Sequence, residues 1–163
     1  MPRPNFAKWT APSNDVGVTG GRCIALTAAA QLNIGDAVWL SASVTVNKSA
    51  VTADHLKRVG IVIGGTNLYD ETSQDALDIG ESAADANEKV FVAVYGVVYA
   101  VADATAILVG SPVAPSTTTA GRVRLATVTT DLVAGDTGKI LGIALDANGG
   151  VAGTKIRILL SPM

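Results

Sequence analysis

The stretch VFVAVYGVVYAVA, residues 90 to 102, decides the fold class. Its β-branched and aromatic side chains are stiff at χ1 and suit a pleated strand better than a helix. On a strand, Val90, Val92 and Val94 share one face and Phe91, Ala93 and Tyr95 the other, so both faces are apolar. A strand of a small antiparallel barrel normally leaves one face wet. The second face is therefore expected to meet another subunit, with Phe91, Ala93 and Tyr95 as the subunit interface, and covering by the chain's own arm or insertion is the alternative. As a helix the stretch is too short to cross a bilayer, which takes about 20 residues, so no membrane partner is expected.

Working outward, the same strand closes the first copy of an internal repeat. That copy reads LNIGDAVWL at 32 to 40, RVGIVIG at 58 to 64 and EKVFVAVYG at 88 to 96. The second reads ILVGSPVAP at 107 to 115, KILGIALDA at 139 to 147 and GTKIRILLS at 153 to 161. Each copy has a glycine turn feeding a strand, a glycine inside an apolar strand and a closing alternating strand. Glycine in a strand interior marks a bend, a bulge or a close backbone approach.

The remaining strands are expected at Cys23 to Thr27, Ala37 to Val46, Arg58 to Ile63, Ser111 to Pro115, Arg122 to Thr127, Gly138 to Asp146 and Lys155 to Leu160. Turn signals such as Asn33 to Asp36, Gly64-Gly65 and Asn148 to Gly150 separate them. The expected fold is all-β: a small β-barrel or two packed antiparallel sheets, built from two related strand-glycine-strand half-units. With 163 residues, 17 glycines and only seven aromatics, the chain fits one β domain over residues 22 to 163 with a core of small and β-branched side chains.

Residues 1 to 21 hold Pro2, Pro4, Pro12, Gly17, Gly20 and Gly21 and read as an extended N-terminal arm. The arm carries Arg3, Phe6, Lys8 and Trp9, side chains suited to anchoring on a partner. Its MPRPNFAKWTAPSND start has no apolar core, so no secretory signal is expected and the chain should be made in the cytoplasm, without export. Between residues 66 and 88 lie seven of the 14 acidic residues and no Lys or Arg, which reads as an acidic insertion loop facing solvent. Asp75, Asp78 and Glu81 do not follow the spacing of a calcium loop, so no metal is expected there.

The supply of catalytic groups is thin. His55 is the only histidine and has no G-x-S-x-G partner, and the lone Cys23, in the alternating RCIAL, reads as a small buried hydrophobe. No phosphate loop, zinc signature or paired metal spacing occurs, so neither enzyme activity nor a cofactor is expected. A net charge of −2 with no basic run argues against nucleic acid as a partner.

The order GDAVWL, RVGIVIG, EKVFVAVYGVVYAV, AILVGSPV, GKILGIALDA and KIRILL, spanning residues 32 to 160, resembles the capsid decoration (capsid cement) proteins of tailed bacteriophages. The acidic segment is longer than that family's usual linker. The resemblance implies a homotrimer on the outer capsid surface of the virion, binding the major capsid protein of the expanded head and stabilising it against internal DNA pressure. Arg3, Phe6, Lys8 and Trp9 would then be the capsid contacts. The alternatives are another virion β-protein, of tail, fibre or adhesin type, and a small-ligand or carbohydrate-binding β-domain.

Overall fold

The small β-branched segments form strands, as their composition dictates. A computed structural model describes residues 19–49, 58–67, 78–127 and 140–160. Among these are β1 (Thr19–Ala28), β2 (Leu32–Asn33), β3 (Ala37–Ala42), β4 (Thr45–Lys48), β5 (Arg58–Gly65), β6 (Ser82–Ala84), β7 (Lys89–Val101), β8 (Pro112–Pro115), β9 (Val123–Leu125), β10 (Gly142–Ala144) and β11 (Lys155–Leu160), with no helix among the described residues.

Strands β1, β4, β3, β5 and β7 close into a five-stranded barrel, because β1 pairs with both β4 and β7. The far half of β7 then pairs with β11, and β10, β8 and β9 continue the sheet. This second half curls back on itself: a parallel bridge joins Ala102 to Val123, and Asp103 N–H donates to the Val123 carbonyl at 2.8 Å. Strand β7, 13 residues long, thus closes the first unit and opens the second.

Several hydrogen bonds of the two units correspond. Gly35 N–H donates to the Val62 carbonyl at 2.8 Å, as Gly110 N–H does to Ala144 at 2.8 Å. Ala29 N–H donates to Val46 at 2.8 Å, the counterpart of Asp103 to Val123, and Asn87 N–H donates to Ala28 at 2.8 Å, as Gly153 N–H does to Ala102 at 2.8 Å. Asn87 is the one non-glycine described at positive φ, 69°, and its counterpart Gly153 sits at 84°. Gly60 in β5 and Gly142 in β10 also correspond. A β-carbon on either would fall far inside contact distance of a carbonyl in the next strand, Ala93 or Leu159 respectively.

The interiors correspond as well. One core holds Leu26, Leu32, Val38, Val46, Val62, Val90 and Val92. The other holds Ala100, Ile107, Val113, Val123, Ala144, Ile156 and Ile158, and Ala37, Ile61 and Ala93 of the first unit join it from outside their own barrel. Strand β7 serves both cores, with Gly96 at φ 107° between its two halves. Before the glycine Val90 and Val92 face the first core, and after it Val98 and Ala100 face the second.

Several expectations change. The stretch Ala37 to Val46 is a hairpin, β3 and β4, turning at Ser43-Val44, which carry no glycine, proline or asparagine to announce it. Of the expected strand at 138 to 146, the described residues from 140 onward form strand at Gly142–Ala144, and β1 begins at Thr19, three residues inside the segment read as arm. The end of the acidic segment is not simply a solvated loop. Strand β6 pairs with β2, and Ile79, Ala83 and Ala84 are buried in the first core, sealing one end of the barrel.

Candidate interaction surface

Most of the buried polar side chains are consumed by structure. Asn148 Oδ1 accepts from Ile107 N–H at 2.8 Å and Gly150 N–H at 3.0 Å, while its Nδ2 donates to the Asp103 and Thr105 carbonyls at 3.1 and 2.8 Å. Asp103 accepts from Thr105 N–H at 2.8 Å and Oγ1 at 2.6 Å, and from Ser116 Oγ at 2.7 Å. Ser116 Oγ in turn accepts from Thr119 N–H at 3.1 Å. A serine that donates to a carboxylate and accepts from backbone amides two and three residues on has the bonding of a loop staple.

Asp36 is the other buried carboxylate among the described residues. Its Oδ2 accepts from Asn33 N–H at 2.8 Å and meets Lys48 Nζ at 3.1 Å, and Gly121 of the second unit lies against its Oδ1. Burial pushes its carboxyl above the ordinary value of 3.8, against the opposing pull of the Asn33 N–H, Lys48 and Arg122. The folded chain therefore holds this proton more tightly than the unfolded chain. The resulting stabilisation is complete below 3.8 and is lost as pH rises through the folded value. With Asp36→Asn as the non-titrating reference, thermal unfolding should show the wild type gaining on the variant as pH falls from neutral towards 3.8. A loss over that window would contradict the assignment.

Outside, the ion pairs are exposed. Arg157 grips Asp146 through two bonds, Nε to Oδ2 at 2.9 Å and the terminal amine to Oδ1 at 2.7 Å, and Lys155 meets Asp78 at 3.0 Å. The Arg157 guanidinium holds the Asp146 carboxyl below its ordinary value. Within the insertion, Asp78 N–H donates to Glu81 and Asp85 N–H to Glu88 Oε2, so two of its described carboxylates accept from backbone amides of their own segment. Among the described residues, no group of three or more His, Cys, Asp or Glu is placed to hold a metal ion.

The residues singled out in the sequence fall as follows. Arg3, Phe6, Lys8, Trp9, His55 and Asp75 lie outside the described residues. Ala93 is fully buried in the second core and Phe91 packs against it half-buried, so the chain itself covers that face of β7, and of the proposed interface trio only Tyr95 is exposed. Cys23, expected to be buried, is exposed on β1 opposite Ala93.

Sequence reasoning missed a different surface. A row of register partners, Pro112, Ile143, Leu159 and Val97, crosses β8, β10, β11 and β7 on the outside of the second unit. Ile143 and Leu159 are 45% and 40% exposed, whereas Pro112 and Val97 are half-buried. The signal was present in KIRILL: Lys155 and Arg157 mark the wet face, and Leu159 breaks it.

No family model matches the chain, and no curated protein matches it. Among solved structures, it is similar to the crystal structure of the head fibre gp8.5 N base of bacteriophage phi29, with a TM-score of 0.45 and 12% identity over 86% of this chain and 93% of that one.

Proposed function

We propose that this chain is a non-enzymatic structural protein of a phage particle, and specifically a decoration protein that binds the outside of the expanded head through the major capsid protein. One observation carries the reading: among the described residues the interiors of two equivalent β units are packed with the chain's own apolar side chains and most buried polar side chains are committed to structural bonds, so the chemistry these residues offer is that of their surface. The sequence resemblance over residues 32 to 160 supports the choice of head over tail or fibre. In this reading the segment bearing Arg3, Phe6, Lys8 and Trp9 anchors on the shell, with an Arg and two aromatics as the dominant contacts. The protein associates as a homotrimer, so that linked copies raise one another's effective concentration.

A ligand that binds only the expanded lattice stabilises that lattice by mass action. Heads lacking the protein should therefore disrupt at a higher temperature once it is added back, with a midpoint that rises with its concentration. Light scattering together with release of DNA measures this. An unchanged midpoint at saturating protein would overturn the proposal.

A further inference from the structure

We infer that copies of this chain meet one another through the row Pro112–Ile143–Leu159–Val97, which faces a shared symmetry axis in the assembled oligomer. This rests on the proposal that the protein self-associates and names the face by which it does so.

The internal repeat supplies the argument. In the first unit the corresponding row is Ala37–Ile61–Ala93–Cys23, with the same register: Ala37 opposite Ile61, Ile61 opposite Ala93, Ala93 opposite Cys23. Its first three members, Ala37, Ile61 and Ala93, are 0% exposed because they join the core of the second unit. The second unit offers the same outward row with larger side chains, and no described residue of the chain covers Ile143 and Leu159. The occupant of this face in the first unit is thus a unit of this same sequence.

Charge points the same way. The row itself is uncharged, and at its flank Arg157 and Asp146 neutralise each other. A face carrying both signs in balance can lie against a symmetry-related copy of itself without like-charge repulsion, which a strongly charged partner surface would not match. Turning the row towards a common axis buries an Ile and a Leu from every copy at the centre of the contact, where apolar anchors count most.

Analytical ultracentrifugation of the full chain over a dilution series, with Ile143→Asp and Leu159→Asp alongside, tests this. Both side chains point to solvent, so the variants should keep the wild-type circular dichroism and unfolding temperature. Leu159→Lys serves as a second replacement if an aspartate perturbs the strand. The wild type is expected to be an oligomer and each variant to fall to the 16.5 kDa monomer. Leu108→Asp and Val151→Asp, at exposed loop positions off the row, should leave the mass unchanged. Folded variants that stay oligomeric, or a wild type that is monomeric throughout, would overturn the assignment. A monomeric wild type whose row variants fail to co-sediment with shells would give this face to the shell instead. Failure of shell binding by a wild type that is oligomeric would count against the decoration role and leave this face untouched.

Discussion

Gly60→Ala and Gly142→Ala are each expected to destabilise the chain by about 3 kcal/mol or more, enough to leave a marginal domain largely unfolded. At both positions the missing β-carbon is what lets the strand lie against its neighbour. A methyl on Gly60 would enter the Ala93 carbonyl, and one on Gly142 the Leu159 carbonyl, with backbone on the far side and no flexible side-chain end to move away. The Ile61–Ala93 and Ile143–Leu159 pairings lie beside these contacts, so relief by strand separation costs ladder bonds as well as packing. Gly80, with open space around its α-carbon, is a poor control because its φ of 96° disfavours any side chain. Ala86→Ser, on an exposed turn, is a better one and should be near neutral. Urea unfolding of the set measures the effect. A midpoint for Gly60→Ala or Gly142→Ala within error of wild type would show that the two glycines are not the equivalent contact points of the repeat.

These glycines also show what the sequence could reveal. RVGIVIG and KILGIALDA announce a glycine inside an apolar strand, and the pairing of Gly60 with Gly142 follows from spacing alone. The all-β class and the two half-units were legible for the same reason. The opening strand of the second unit was hidden because it is the far half of β7: one unbroken apolar run serves two units, and the even-numbered residues Val90, Val92, Val98 and Ala100 are buried on both sides of Gly96, with nothing in the pattern to mark the change of core. Hence Phe91 and Ala93, read as an outward interface, face the chain's own second core. The acidic segment misled in another way. Its charges dominate the composition, while Ile79, Ala83 and Ala84, which seal the barrel end, are small and few. The buried Asp103–Ser116–Asn148 links span 13 and 45 positions, and no local pattern encodes such pairings.

The decoration role makes the other large prediction. If residues 1 to 18 carry the shell contacts, removing them should abolish binding while leaving the β domain intact, because the described fold begins at Thr19. Losing an Arg and two aromatic anchors together typically costs several hot spots of about 2 kcal/mol or more each, a loss of at least a thousandfold in affinity. The truncation should stop at residue 18, since Thr19 is already paired with Val97.

Co-sedimentation of the full and truncated chains with expanded heads that lack the protein, and with unexpanded heads as control, tests the account most directly. Saturable binding of the full chain to expanded heads alone, lost in a truncated chain that unfolds at the same temperature, is the predicted result. No binding of the full chain to either form of head would contradict it.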